Sequence, residues 1–224
     1  MCGRFTLAKS RSEVERYLFE EFTIDDQIIA SLPRYNIAPR QTVIAITYEV
    51  QNFKLMPLTW GFIPSFGKNK DSKLELINVR IESLMDKWFL KEALQHRRCL
   101  ILADGFYEWE KTDQGKLPYR IHINEKMFFF AGVYSQYSVI NDGQYTTAMI
   151  TKEASEMMKV LHHRMPVILK LEDAKKYLID GVLNPESFIG DHYLKMYPVS
   201  KKVNKVDVDE LDCIKKEEPI RLEI

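Results

Sequence analysis

The sequence predicts an α+β domain built on a mainly antiparallel, barrel-like sheet with flanking helices. Three observations carry that expectation. Runs with the two-residue hydrophobic period of strands recur from Thr42 to Val199. Most of these runs are joined by short turns, which favours antiparallel neighbours. Helical patterns are short and interspersed among the strands. The chain has 224 residues, 46% of them hydrophobic, enough for one domain with a substantial core.

The elements follow in order. Ser12 and Glu15 fit a capping box for a helix from about Ser12 to Phe22, with Val14, Tyr17, Leu18 and Phe22 as its apolar stripe. Pro33-Arg34-Tyr35-Asn36-Ile37-Ala38-Pro39 reads as a stiff, irregular segment, because two prolines exclude a helix or a central strand. Thr42–Glu49 and Asn52–Thr59 read as paired strands, followed by an aromatic loop from Trp60 to Phe66 and a basic, polar stretch from Lys68 to Lys73. Leu76–Ile81 precedes a helix near Leu84–Gln95, with Ser83 as its cap and Trp88 facing inward. Cys99–Trp109 reads as one apolar strand. Tyr119–Ile123, Phe128–Tyr134 and Tyr145–Thr151 are three more, the last two joined around Asn141-Asp142-Gly143. A helix near Ala154–Val160 stops before Pro166, and Val167–Leu169 is extended. Leu171–Ile179 is helical, a short helical turn follows Pro185, and Tyr193–Val199 is a late strand. One domain over residues 1–224 is expected, with 206–224 an acidic, solvated tail.

Lys and Arg number 32, as do Asp and Glu, so net charge announces no nucleic-acid partner. Such a partner would need basic residues gathered on one face. Cys2, Cys99 and Cys213 have no metal-ligand spacing and read as reduced thiols of a cytoplasmic protein. Neither a signal peptide nor a membrane-spanning apolar run is expected from the sequence. A monomer without metal or cofactor is expected.

The chemistry begins at Met1-Cys2-Gly3-Arg4-Phe5. Cysteine is small, so removal of Met1 by an aminopeptidase is expected. Cys2 would then carry a free α-amine and a thiol on adjacent carbons. Their reference pKa values are ~7.7–8.0 and ~8.5, so both are partly deprotonated near neutrality. Such a pair can attack an ester or amide through sulfur. It can also condense with an aldehyde, the amine forming a Schiff base and the thiol closing a thiazolidine. That closure is intramolecular, where effective molarities reach ~10⁵–10⁸ M.

Four further segments accompany the first: Tyr35-Asn36-Ile37-Ala38-Pro39, Ile77-Asn78-Val79-Arg80-Ile81-Glu82, Asp104-Gly105-Phe106-Tyr107-Glu108-Trp109 and His162-His163-Arg164-Met165-Pro166. In this order and spacing the chain resembles the SOS response-associated peptidase (SRAP) family, whose members crosslink to abasic sites in DNA. The resemblance runs from Cys2 to about Ser200. It implies Cys2 as nucleophile with Asn78, Glu108 and His162 around it, and single-stranded or fork DNA containing abasic sites as ligand. The family's histidine stands two residues before the arginine, which makes it His162 rather than His163.

An abasic sugar exists partly as a ring-opened aldehyde, which an aminothiol can hold. Glu108, between two aromatics, is the candidate for the proton transfers, with burial raising its pKa. His162 would act on the sugar's hydroxyl, and Asn78 would orient either Cys2 or the sugar. Arg4, Arg80 and Arg164 lie within the motifs and are assigned to phosphates. Tyr35, Trp60, Phe62 and Phe66 are the candidates for stacking on bases, Trp60 more readily a core residue. Thr151 is assigned to backbone phosphate. Three other functions remain open on the sequence: an N-terminal-nucleophile amidohydrolase, a non-covalent reader of modified bases, and a thiol autopeptidase using Cys2, Glu108 and His162.

Overall fold

The first strand, β1 (Phe5–Leu7), is short and wholly buried, and the rest of the chain is layered around it. The computed structural model describes residues 2–18, 22, 27–65, 74–113, 115–137 and 144–217. After β1 come α1 (Arg11–Leu18), β2 (Arg34–Ile37), β3 (Thr42–Glu49), β4 (Asn52–Trp60), β5 (Asn78–Arg80) and α2 (Trp88–His96). Then follow β6 (Arg98–Ala103), β7 (Gly105–Thr112), β8 (Gly115–His122), β9 (Phe128–Tyr137), β10 (Gln144–Glu153) and α3 (Glu156–Lys159). The last elements are β11 (Arg164–Pro166), β12 (Ile168–Leu169), α4 (Leu171–Asp180) and β13 (Lys195–Pro198).

Strands β10, β4, β3, β6 and β9 pair in that order, and β9 pairs again with β10, closing the ring into a barrel. Closure removes the open edges that a flat sheet would leave. The pairings among described strands are antiparallel except those of β10 with β4 and β5. A second sheet, in the order β13-β8-β7-β1-β2, packs against the barrel. The expected architecture is therefore the observed one.

Phe5 locks the two layers together. Its ring meets Trp60 of β4 at 5.3 Å and Phe130 of β9 at 5.7 Å, both edge-to-face. Burying such a ring stabilises the fold by roughly 1.5–3 kcal/mol. The residues just before Phe5 are thereby held against the protein body.

Cys99–Trp109 is not one strand. It breaks at Asp104 into β6 of the barrel and β7 of the second sheet. Asp104 makes the corner: its carboxylate accepts from Thr6 Oγ1 at 2.6 Å and from the Ala8 amide at 2.9 Å. A side chain at Gly105 would meet Arg120 Nε at 2.8 Å and Thr6 Oγ1 at 2.9 Å, so glycine permits the close approach. The switch of sheets carries Glu108 to β1's side.

Several local expectations are corrected. The capping box is Ser10 with Glu13: Ser10 N donates to Glu13 Oε2 at 2.9 Å, so the first helix begins earlier than Ser12. Ser83 does not cap α2, which starts at Trp88, and Trp88 is 62% exposed rather than inward. The Pro33–Pro39 segment contains β2, at the sheet edge where its flanking prolines remove no ladder bond. The expected solvated tail folds back as far as residue 217. Cys213 is buried there, and Asp209 accepts from the backbone amides of Tyr35 and Asn36 and from Arg34. Residues 218–224 lie outside the described residues, as do the Asn141–Gly143 turn and Lys68–Lys73. No described helix is long and apolar enough to cross a membrane.

Candidate active site

The β1–β7 ladder brings the first motif to Glu108. Phe5 pairs with Phe106, and the Tyr107 amide donates to the Arg4 carbonyl at 2.9 Å. Continued one step, that antiparallel register sets Gly3 across from Glu108, with Cys2 beside it. Cys2 is fully buried, and its thiol donates to the Arg4 carbonyl at 3.7 Å. Burial first, and the nearby Glu108 carboxylate second, push the thiol well above its ordinary pKa. Glu108 is 4% exposed, and burial pushes its carboxyl up to about 7. A carboxylate poised near neutrality is suited to both taking and returning a proton.

Asn78 opens β5, which runs parallel to β10 with Met149 opposite. The preceding carbonyl, of Ile77, accepts from Trp60 Nε1 at 2.7 Å and from the Met149 amide at 3.1 Å. So anchored, Asn78 donates through Nδ2 to the Cys2 carbonyl at 2.7 Å. Its Oδ1 is buried without a hydrogen-bond partner. Buried acceptors left open are uncommon and call for an explanation.

His162 and His163 follow the single turn of α3, their rings stacked at 4.3 Å. The His162 Nδ1 accepts the Arg164 amide at 2.9 Å, so in the neutral ring Nε2 carries the proton. Burial lowers the His162 pKa, favouring that neutral form. His163 is exposed. Glu108, His162 and His163 line one cavity of about 530 Å³.

The phosphate assignments divide. Arg80 is exposed at the end of β5. Arg4 is instead buried, donating from Nη1 to Asn36 Oδ1 and to the Val203 carbonyl, each at 2.6 Å. Arg164 spends its fork on both Glu82 oxygens at 2.8 Å and on the Thr151 carbonyl at 2.7 Å. Thr151 is buried, its hydroxyl donating to the Val79 carbonyl at 3.2 Å. Arg4, Arg164 and Thr151 are thus internal braces, because a guanidinium or hydroxyl enclosed by the fold must find its partners there.

Among the aromatics, Trp60 and Phe62 are buried core residues, Phe62 stacked on Phe89 at 6.3 Å. Tyr35 is half-buried, and Phe66 lies outside the described residues. Sequence reasoning missed Lys111, Lys116 and Lys159, which also line the cavity. Lys111 and Lys116 face each other across the β7–β8 ladder and are exposed. Their signal was the hairpin itself: equal distances from its turn set two lysines opposite each other. Asn36 was noticed only as part of a motif. Its side chain is a hub, taking Arg4 on Oδ1 and donating to the carbonyls of Val203, Lys205 and Val208.

Known proteins resemble this chain in sequence and in fold. The chain is 34% identical to the abasic site processing protein YobE of Bacillus subtilis, covering 94% of this chain and 99% of that one. It is 31% identical to the abasic site processing protein HMCES of Gallus gallus, covering 81% of this chain and 66% of the relative. A crystal structure from Bacteroides thetaiotaomicron shares the fold with a TM-score of 0.82 at 17% identity, covering 97% of this chain and all of that one. One from Bordetella bronchiseptica gives 0.71 at 26% identity, over 89% and 95%. The family model described as SOS response associated peptidase (SRAP) matches residues 1–206, and the chain belongs to that family.

Proposed function

We propose that this protein acts in the DNA damage response by capturing abasic sites in single-stranded DNA covalently, through the Cys2 amine and thiol freed when Met1 is removed. The amine nitrogen adds to the C1′ aldehyde of the opened sugar, giving a carbinolamine. Loss of water yields the imine. The sulfur then adds to the same carbon while its proton passes to nitrogen, so aldehyde plus aminothiol gives thiazolidine plus one water. Glu108 takes the proton from the attacking amine and returns it to the departing hydroxyl. His162 presents Nε2–H to the sugar oxygens and favours the open form. Arg80, Lys111 and Lys116 meet phosphates flanking the lesion.

The observation that carries this reading is the unfilled Asn78 Oδ1. The same amide fixes Cys2 through Nδ2. The oxygen left over is an acceptor within reach of the Cys2 end, suited to a hydroxyl of the carbinolamine or sugar. Burial holds the thiol protonated, which disfavours thiolate attack on a peptide bond, whereas ring closure can hand that proton to the imine nitrogen, so crosslinking is favoured over peptidase action. The test is intact-mass analysis of the Met1-free protein after incubation with abasic single-stranded DNA. A denaturation-resistant adduct at the summed mass less one water is expected, and none from Cys2→Ala. An equal yield of adduct from Cys2→Ala would refute the assignment.

A further inference from the structure

A second cavity, of about 710 Å³, lies at the other end of the β7–β8 ribbon. It opens between α1, the turn joining β8 to β9, and the start of α4. Its lining residues are distinct from those of the Glu108 cavity. Tyr119, the ladder partner of Glu108, stands four residues before Ile123 of this cavity, roughly 14 Å at about 3.4 Å per residue.

The floor is apolar and mostly aliphatic: Met127, Leu171 and Ile189, with Tyr17 and Phe128 beside them. The Tyr17 hydroxyl donates to the Met127 carbonyl at 3.3 Å, tying α1 to the turn. A concave apolar floor of this volume with a few polar groups at its rim is the usual form of a ligand site.

The rim charges do not cancel. Glu13 is committed to the Ser10 amide and hydroxyl. Glu125 is committed to Arg120 and His122. Lys170 sits 4.5 Å over the Tyr193 ring. Arg16 and Lys126, both exposed, have no carboxylate partner among the described residues. Among the described residues, two cations without a carboxylate partner therefore flank an apolar trough.

We propose that this cleft binds an acidic peptide segment of a partner protein. One large apolar side chain of that segment seats on the floor, and its carboxylates reach Arg16 and Lys126. A nucleic-acid strand fits less well. Its evenly spaced phosphates would lie against Glu13 and Glu125, and of the three rings in the lining Phe128 is buried and Tyr193 is covered by Lys170, which leaves no run of open rings for stacking bases. Carboxylates interleaved with apolar residues match both features.

The test is fluorescence anisotropy with a fluorescein-labelled Asp-Glu-Asp-Glu-Leu-Phe peptide, using the full chain. Saturable binding with a Kd on the order of 10⁻⁵ M is expected. It should weaken by roughly tenfold or more when the acids are replaced by lysine, when Leu-Phe becomes Ala-Ala, or in the Arg16→Glu/Lys126→Glu protein. Both substituted positions are exposed, and an unchanged thermal midpoint checks that the fold is kept. Capture of abasic DNA should be unchanged in that variant, which separates failure of this proposal from failure of the crosslinking reading. The proposal is overturned by no saturation up to about 1 mM, by binding indifferent to the charge reversal, or by displacement with undamaged oligo-dT.

Discussion

Asn78 Nδ2 donates to the Cys2 carbonyl at 2.7 Å across 76 residues of sequence, so a strand of the barrel side fixes the start of the chain. A neutral hydrogen bond of this kind is worth about 1 kcal/mol, and about 1.4 kcal/mol is tenfold in rate. Asn78→Ala should therefore slow crosslinking roughly fivefold without unfolding the protein. Asn78→Asp should do no better, since a carboxylate would face the Cys2 carbonyl oxygen. Single-turnover crosslinking measures both, and a wild-type rate for Asn78→Ala would exclude the positioning role.

Glu108 makes a prediction with a sign. Its pKa is raised from 4.5 to about 7 in the folded protein, burial being the main cause. Between those values the folded chain holds a proton that the unfolded chain has released, so this group's contribution to stability falls as pH rises through the window. Glu108→Gln should be more stable than wild type at pH 8, by on the order of 1–3 kcal/mol, and show little gain at pH 4. The same variant should crosslink ~10²–10⁴-fold more slowly, because an amide moves no proton. Denaturant titrations at the two pH values and one rate measurement decide it. A stability gain at the lower pH alone would reverse the electrostatic picture.

Much of this was legible in the sequence. Alternation placed β3 and β4 to within a residue, and five short motifs named Cys2, Asn78, Glu108 and His162. Hidden features were those whose cause is remote in sequence. Nothing local in Cys99–Trp109 says that Asp104 will be captured by Thr6 and Ala8 and turn the strand into another sheet. Nothing near Asp209 says that its carboxylate covers the open amides of β2, so a cluster of acids read as solvent-facing. The arginines misled for a related reason: a motif marks a residue as special, but not whether its guanidinium faces a ligand or Asn36.

The two histidines should separate cleanly. His162 is partly buried with Nδ1 committed to the Arg164 amide, while His163 is exposed and stacked over it. His162→Ala should slow capture less severely than Glu108→Gln. It should also alter exchange of the adduct onto fresh abasic DNA, because reversal retraces the same proton transfers. His163→Ala should change either rate by less than about threefold. Should His163→Ala be the damaging change, the acting ring has been misassigned.

The arginines call for two different assays. Arg4→Ala would strand Asn36 Oδ1 and weaken the hold on Val203, both buried, and hydrogen bonds to charged groups are worth about 1.5–3 kcal/mol. Its first symptom should be lower stability at every salt concentration. Arg164→Ala should behave likewise, since it leaves the Thr151 carbonyl unanswered. Arg80, Lys111 and Lys116 are exposed, so their removal should leave the thermal midpoint nearly unchanged. Removing each phosphate-binding cation should instead flatten the log–log salt dependence of single-strand binding by about 0.7. Lys111 and Lys116 stand opposite each other on the hairpin, so two adjacent phosphates can engage them together. The double alanine variant should then flatten the slope by about 1.4. A slope unchanged in that variant would remove the hairpin from the DNA path and leave Arg80 as its remaining cation from these three.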